Sequence, residues 1–265
     1  MIRRLIAVAF ALAASAQVAA EALLIRGARV HTVDAAGVLD NGDVLIRDGV
    51  IAQVGRAIVA TDARVVEAKG KALTPGLFGG LTALGLEDVS AEIATVDSAY
   101  TPGALMPAQP LSMRPEFDVA YAYNPGSMVI PVQVVEGITF SMLAPNAMPG
   151  GTLVGGQGGL ATLDGRSIDL LPGSRSLFIA LGSGASPLTG NSRAAQYMLL
   201  DQAIRETRGA LFEGDRLLTV AGRETMAKYL AGGRVVLAVD RAIDIRRALA
   251  FAKKNGMRPV ISGGV

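Results

Sequence analysis

The sequence predicts an α/β fold in two parts, a small all-β unit over residues 21–74 and a region of mixed strands and helices over residues 75–265. Three observations carry this reading. The first part consists of short apolar runs separated by Asn-Gly and Asp-Gly, dipeptides that tolerate the positive φ angles of tight turns. The chain ends on an apolar helical stripe flanked by two apolar runs, a strand-helix-strand unit that implies parallel strands covered by helices. The composition, 51% apolar, 18% charged and without cysteine, is that of a packed globular protein. It excludes a disordered chain, a collagen and a disulfide or zinc-cysteine scaffold.

Residues 1–20, MIRRLIAVAFALAASAQVAA, are laid out as a secretory signal: a cationic start, an apolar run and small residues before Glu21. Ten apolar residues in a helix span about 15 Å, half of a hydrocarbon core of about 30 Å, so the segment is too short to cross a membrane unaided. Cleavage fits after either Ala16 or Ala20, and the expected location is the periplasm or outside the cell. Removing Arg3 and Arg4 from the 25 Lys+Arg leaves a balance with the 23 Asp+Glu. A neutral surface without a cationic cluster gives no footprint for nucleic acid.

Within residues 21–74, the runs LLIRGARVHTV, GDVLIRDGVIAQVG and ARVVEAKGKALT read as strands, with hairpin signals at Asn41-Gly42 and Asp48-Gly49. Val44, Ile46, Val50 and Ala52 alternate as on strands with one buried face. From Tyr100 to Gly151 lie eight of the twelve prolines, a density that argues against long helices and central strands. One apolar run, Gly137 to Leu143, interrupts it. The segment from Gly150 to Gly159 is too glycine-rich for a helix and reads as a hairpin-like flap. It lacks the GK[ST] ending and following helix of a phosphate loop. Gly182 to Ser186 is likewise a poor match to a nucleotide motif.

Past Arg175 the chain alternates: SLFIALG as a strand, Ser192 to Phe212 and Gly222 to Leu230 as helices, and Arg234 to Val239 as a strand. Ile245, Ala248, Leu249 and Ala252 then form one stripe, with Asp244 near the helix start, Lys253 and Lys254 near its end and Gly256 as a stop. RPVISGG closes the unit as a strand.

The join KALTPGLFGGLTALG resembles the start of the metal-dependent amidohydrolases, in particular their imidazolonepropionase-like branch. AYNPGSMVIPVQVVEGITFSMLAP, GTLVGGQGGLATLDG and VDRAIDIRRALAFAKKNGMRPVISGG are similar to later segments of that branch. The resemblance implies a (β/α)8 TIM-type barrel, here partial, preceded by a small β-sandwich. It also implies hydrolysis of non-peptide C-N bonds in amides or cyclic amides. A divalent metal such as zinc would supply that chemistry by acidifying a bound water, held at the carboxyl ends of the barrel strands.

The ligands themselves are missing. The family's first-strand PGxxDxHxH corresponds to PGLFGGLTA, which puts Gly79 at the Asp position and Leu81 and Ala83 at the His positions. The later His positions fall on Asp240 and Gly263, with Ala238 two residues before Asp240. One carboxylate does not make a site, so no metal and no other cofactor is expected to be held by this chain.

Asp240, Glu87 and Asp88 are the remaining candidates for pocket acids. Asp240 reads either as a functional acid or as the ion-pair partner of Arg241. Glu87 and Asp88 read either as pocket-lining carboxylates or as a solvated loop. His31, the single imidazole, reads as an ordinary strand residue, and with no cysteine present neither a Ser-His-acid nor a Cys nucleophile arrangement is available. Residues 75–265 are fewer than the about 250 of a typical barrel, so further strands from a longer chain or from another chain are expected. Two functions follow. One is a hydrolase of C-N bonds acting on a small amide or cyclic amide. The other is a catalytically inactive periplasmic binding or scaffold protein, with homo-oligomers compatible with either.

Overall fold

The structure, a computed structural model, describes residues 22–89, 91–101, 113–147, 151–210, 214 and 216–264. The signal segment, Gly150 and Phe212 lie outside the described residues. The chain divides into two compact units, ending at Pro75 and beginning at Gly76.

The first unit is one five-stranded sheet. Strands β1 (Leu23–His31), β2 (Val38–Arg47), β3 (Val50–Gly55), β4 (Arg64–Glu67) and β5 (Ala72–Leu73) are ordered β3-β2-β1-β4, with β5 also on β1. Asp48 and Gly49, both at positive φ, make the β2–β3 hairpin turn as expected. Asn41-Gly42 does not make a turn. It lies inside β2, where Asn41 at φ 53° accompanies a register shift against β1. A positive-φ residue within a strand accommodates an extra residue as a bulge. The expected single buried face is also revised. Leu45 packs with Leu24 and Ile58, while Val44 packs with Ala28 and Val30 on the opposite side. Val50 and Ala52 are exposed on the edge strand β3.

The second unit holds a six-stranded sheet curled as half a barrel. Its strands are β6 (Leu77–Thr82), β7 (Ile138–Leu143), β8 (Val154–Thr162), β9 (Ser176–Ala180), β10 (Arg234–Ala238) and β11 (Arg258–Ser262), in the order β11-β10-β9-β8-β7-β6. β9, β10 and β11 are parallel, as are β6 and β7. The helices are α1 (Ile130–Val134), α2 (Arg193–Thr207), α3 (Val220–Leu230) and α4 (Ala242–Lys254).

Two expectations for the proline- and glycine-rich middle are overturned. β7 is an interior strand, because Pro131 and Pro145 flank it and leave every residue between 138 and 143 free to donate to its neighbours. The glycine segment is not a flap. β8 runs antiparallel to both β7 and β9 through the middle of the sheet. Its glycines let neighbouring backbone close in: a Cβ on Gly158 would collide with the Leu143 carbonyl oxygen.

Strand alternation sorts the apolar residues of this sheet. Leu177 and Ile179 of β9 and Val235 and Leu237 of β10 pack with Leu200, Ile204 and Met226 of the helices, the main core. Phe178 and Val236, pointing the other way, pack with Met142, Ala144 and Leu160 on the inner face. Ser192 and Thr219 cap α2 and α3 through their hydroxyls. On α4 the buried stripe is Asp244, Ala248 and Ala252, while Leu249 is 39% exposed.

Candidate functional site

The parallel strands β6, β7, β9 and β10 end around a cavity of about 200 Å³. Leu81 and Thr82 come from the end of β6, Ala144 to Ala147 follow β7, Phe178 to Ala180 end β9, and Val236 and Ala238 belong to β10. Carboxyl ends of barrel strands are where ligand sites form, since the loops there vary without disturbing the packed strands. Among the described residues no charged side chain lines the cavity, and Thr82 and Asn146 are its polar side chains.

Asn146 is held by a network reaching back toward β6. Its amide nitrogen Nδ2 donates to Glu87 Oε1 at 3.2 Å and to Ser98 Oγ at 3.2 Å, and its backbone N-H donates to the Ser98 carbonyl at 2.8 Å. The fully buried Ser98 hydroxyl in turn donates to Glu87 Oε1. Glu87 therefore stands behind the lining, orienting Asn146. Asp88 is exposed and accepts from the buried Ser127 hydroxyl at 2.5 Å. Both serines and the asparagine come from distant loops, with no local motif to announce them.

Asp240 follows β10, exposed and without an ion pair among the described residues. Its expected partner is engaged elsewhere: Arg241 Nε lies 3.7 Å from Asp244 Oδ2, and Arg193 Nε lies 3.2 Å from the same oxygen. The helix-start geometry explains the exchange, because Asp244 is 5% exposed and a buried carboxylate recruits the nearest cations. Beside it, Gln196 clamps the turn after β9, accepting from the Gly182 N-H at 2.9 Å and donating to the Gly182 carbonyl at 2.7 Å. His31 closes β1 in the first unit.

The residues present do not fit a divalent metal. Leu81 lines the cavity as a hydrocarbon wall. Gly79 sits against β7, where a Cβ would collide with Ser141 Oγ and lie 2.7 Å from Ile138 Cγ2. Gly263 is closed more firmly: at φ 112° its Cβ would lie 2.6 Å from the Val239 carbonyl oxygen and collide with Asp240 Oδ1. Backbone on one side and a positive φ on the other leave no room for an imidazole there. Among the described residues, no group of three or more His, Asp or Glu side chains is placed to share a cation.

No family model matches the chain. Over 41 residues, 16% of the chain, it is 51% identical to a dihydroorotase of Halalkalibacterium halodurans, a stretch covering 10% of that protein. Among solved structures, an amidohydrolase from Thermotoga maritima MSB8 superposes with a TM-score of 0.72 and 22% identity over 90% of this chain. This chain spans 63% of the Thermotoga protein. The likeness shows the fold: the chain is folded like the corresponding part of the Thermotoga amidohydrolase.

Proposed function

We propose that this chain is an exported amidohydrolase-superfamily protein of the imidazolonepropionase-like branch, using the carboxyl ends of its strands as a small-molecule binding cleft without a metal-hydrolytic centre. One observation carries the reading: the family's ligand positions fall on Gly79, Leu81, Ala83, Asp240 and Gly263, of which Asp240 alone keeps an oxygen ligand, and Gly263 is closed by the Val239 backbone. A histidine lost by substitution alone leaves its space behind, whereas at Gly263 the space is filled.

A second reading, a hydrolase of non-peptide C-N bonds, is favoured by the short stretch shared with a dihydroorotase. It requires ligands outside the described residues, with Asp240 as the one carboxylate among the family's ligand positions. Metal analysis of the purified full-length protein, with turnover of an amide and lactam panel measured with and without chelator, separates the two. The binding reading expects no stoichiometric transition metal and no turnover. Stoichiometric metal with chelator-sensitive hydrolysis overturns it. Export is tested by N-terminal sequencing of the secreted protein, which is expected to begin at Gln17 or Glu21.

A further inference from the structure

We propose that the strand-end cavity is a site for a compact, neutral, mostly apolar ring that carries one N-H or O-H donor, and that Asn146 selects it by accepting that hydrogen. The proposal rests on the binding reading above and names the ligand class for the same cleft.

Size comes first. A cavity of about 200 Å³ is somewhat larger than the roughly 150 Å³ that accommodates benzene in a protein interior, so one ring or a small fused pair fits. Charge comes second. With walls of Leu81, Ala144, Phe178 and Val236 and no charged lining side chain among the described residues, an ion would lose its hydration without a partner.

Polarity comes third and sets the direction of the hydrogen bond. A carboxylate only accepts, so the Asn146 atom facing Glu87 Oε1 is its nitrogen. Ser98 Oγ donates its own hydrogen to Glu87, so it accepts from that same nitrogen. Both restraints hold Nδ2 on Glu87 and Ser98, so Oδ1, which accepts from no described residue, is the polar atom of this exposed side chain left for a ligand in the cavity that Asn146 lines. The other polar side chain there, Thr82, already accepts from the Leu84 N-H at 3.1 Å. Glu87 and Ser98 are thus positioning residues, and Asn146 is the specificity-determining one.

The test is calorimetric titration of the full chain with indole and with benzofuran, which keeps the fused ring and replaces N-H by an acceptor oxygen. Indole is expected to bind about five- to tenfold more tightly, the worth of one net hydrogen bond. Asn146→Leu is expected to erase that preference, and Ala238→Leu, which fills the cavity from β10, to abolish binding of both. The wild-type comparison needs no variant to fold. Equal affinity for the two compounds, binding of neither, or binding that survives Ala238→Leu overturns the proposal. Chelator-sensitive hydrolysis would instead defeat the reading beneath it while leaving the indole preference in place.

Discussion

Glu206, near the end of α2, offers the largest stability test in the second unit. It is 2% exposed, yet its carboxylate is fully used: Oε1 accepts from the Leu217 N-H and Oε2 from the Leu218 N-H, both at 3.0 Å, and Gln202 Nε2 adds a third bond to Oε1 at 3.0 Å. These bonds hold the segment entering α3 against α2. Glu206→Ala strands two backbone donors in the interior; at about 1.5 to 3 kcal/mol for each hydrogen bond to a charged group, the expected loss is about 3 to 6 kcal/mol. Glu206→Gln preserves the shape but offers one oxygen and one NH2. Whichever way the amide turns, one leucine N-H faces a donor, and about half of that loss remains. Urea unfolding followed by helical circular dichroism reads the second unit, which contains α1 to α4. Unfolding free energies for both variants within about 0.5 kcal/mol of wild type, the spread of an ordinary surface change, would refute the reasoning.

Gly158→Ala is expected to cost about 1 to 3 kcal/mol, because the new methyl meets the Leu143 backbone in a packed interior strand; the same urea experiment measures it. Gly263→His is expected neither to recruit zinc nor to raise the melting temperature in its presence, since the imidazole would have to displace the Val239 backbone. For the same reason a chelator should leave the wild-type melting temperature unchanged. Asp164 is held down at about 2 from an ordinary 3.8, chiefly by the Ser167 hydroxyl and then by the Ser167 and Arg166 N-H groups. A depressed carboxyl pKa stabilises the fold above the ordinary value, and that contribution fades as pH falls from about 3.8 through about 2. Ser167→Ala should move the Asp164 titration, followed by carboxyl NMR, upward toward 3.8.

How far residues announced their own structure depended on the range of the forces involved. The helix α4, the Asp48-Gly49 turn and the strands at SLFIALG and Arg234 are consequences of spacing and turn chemistry within a few residues, and they are present as expected, although on α4 Leu249 of the expected stripe is exposed and Asp244 is buried instead. The altered first-strand motif was equally visible, because it is a matter of identity at Gly79, Leu81 and Ala83. Asn41-Gly42 carried the same dipeptide signal as a turn and became a bulge, since pairing with β1 outweighed the local preference.

The candidate site was less visible. Glu87 and Asp88 stood out as adjacent carboxylates, but nothing local marks Ser98, Ser127 and Asn146, which lie up to 59 residues away from their acceptors. Asp240 and Arg241 looked like a pair by adjacency, until the buried Asp244 drew Arg241 one helical turn onward.

Amino-acid identity alone decided that the two units are β-rich and α/β, that no cysteine chemistry is available, and that imidazoles are missing where the resemblance calls for them. Only the packed strands decided that the glycine-rich segment is an interior strand, that the space at Gly263 is closed, and that Asn146 is tied to Glu87 and Ser98 at the edge of an apolar cavity. The division has one cause. Turn and helix preferences act between near neighbours and are written in order along the chain, whereas the approach of Val239 to Gly263 or of Glu87 to Asn146 exists only after distant strands have paired.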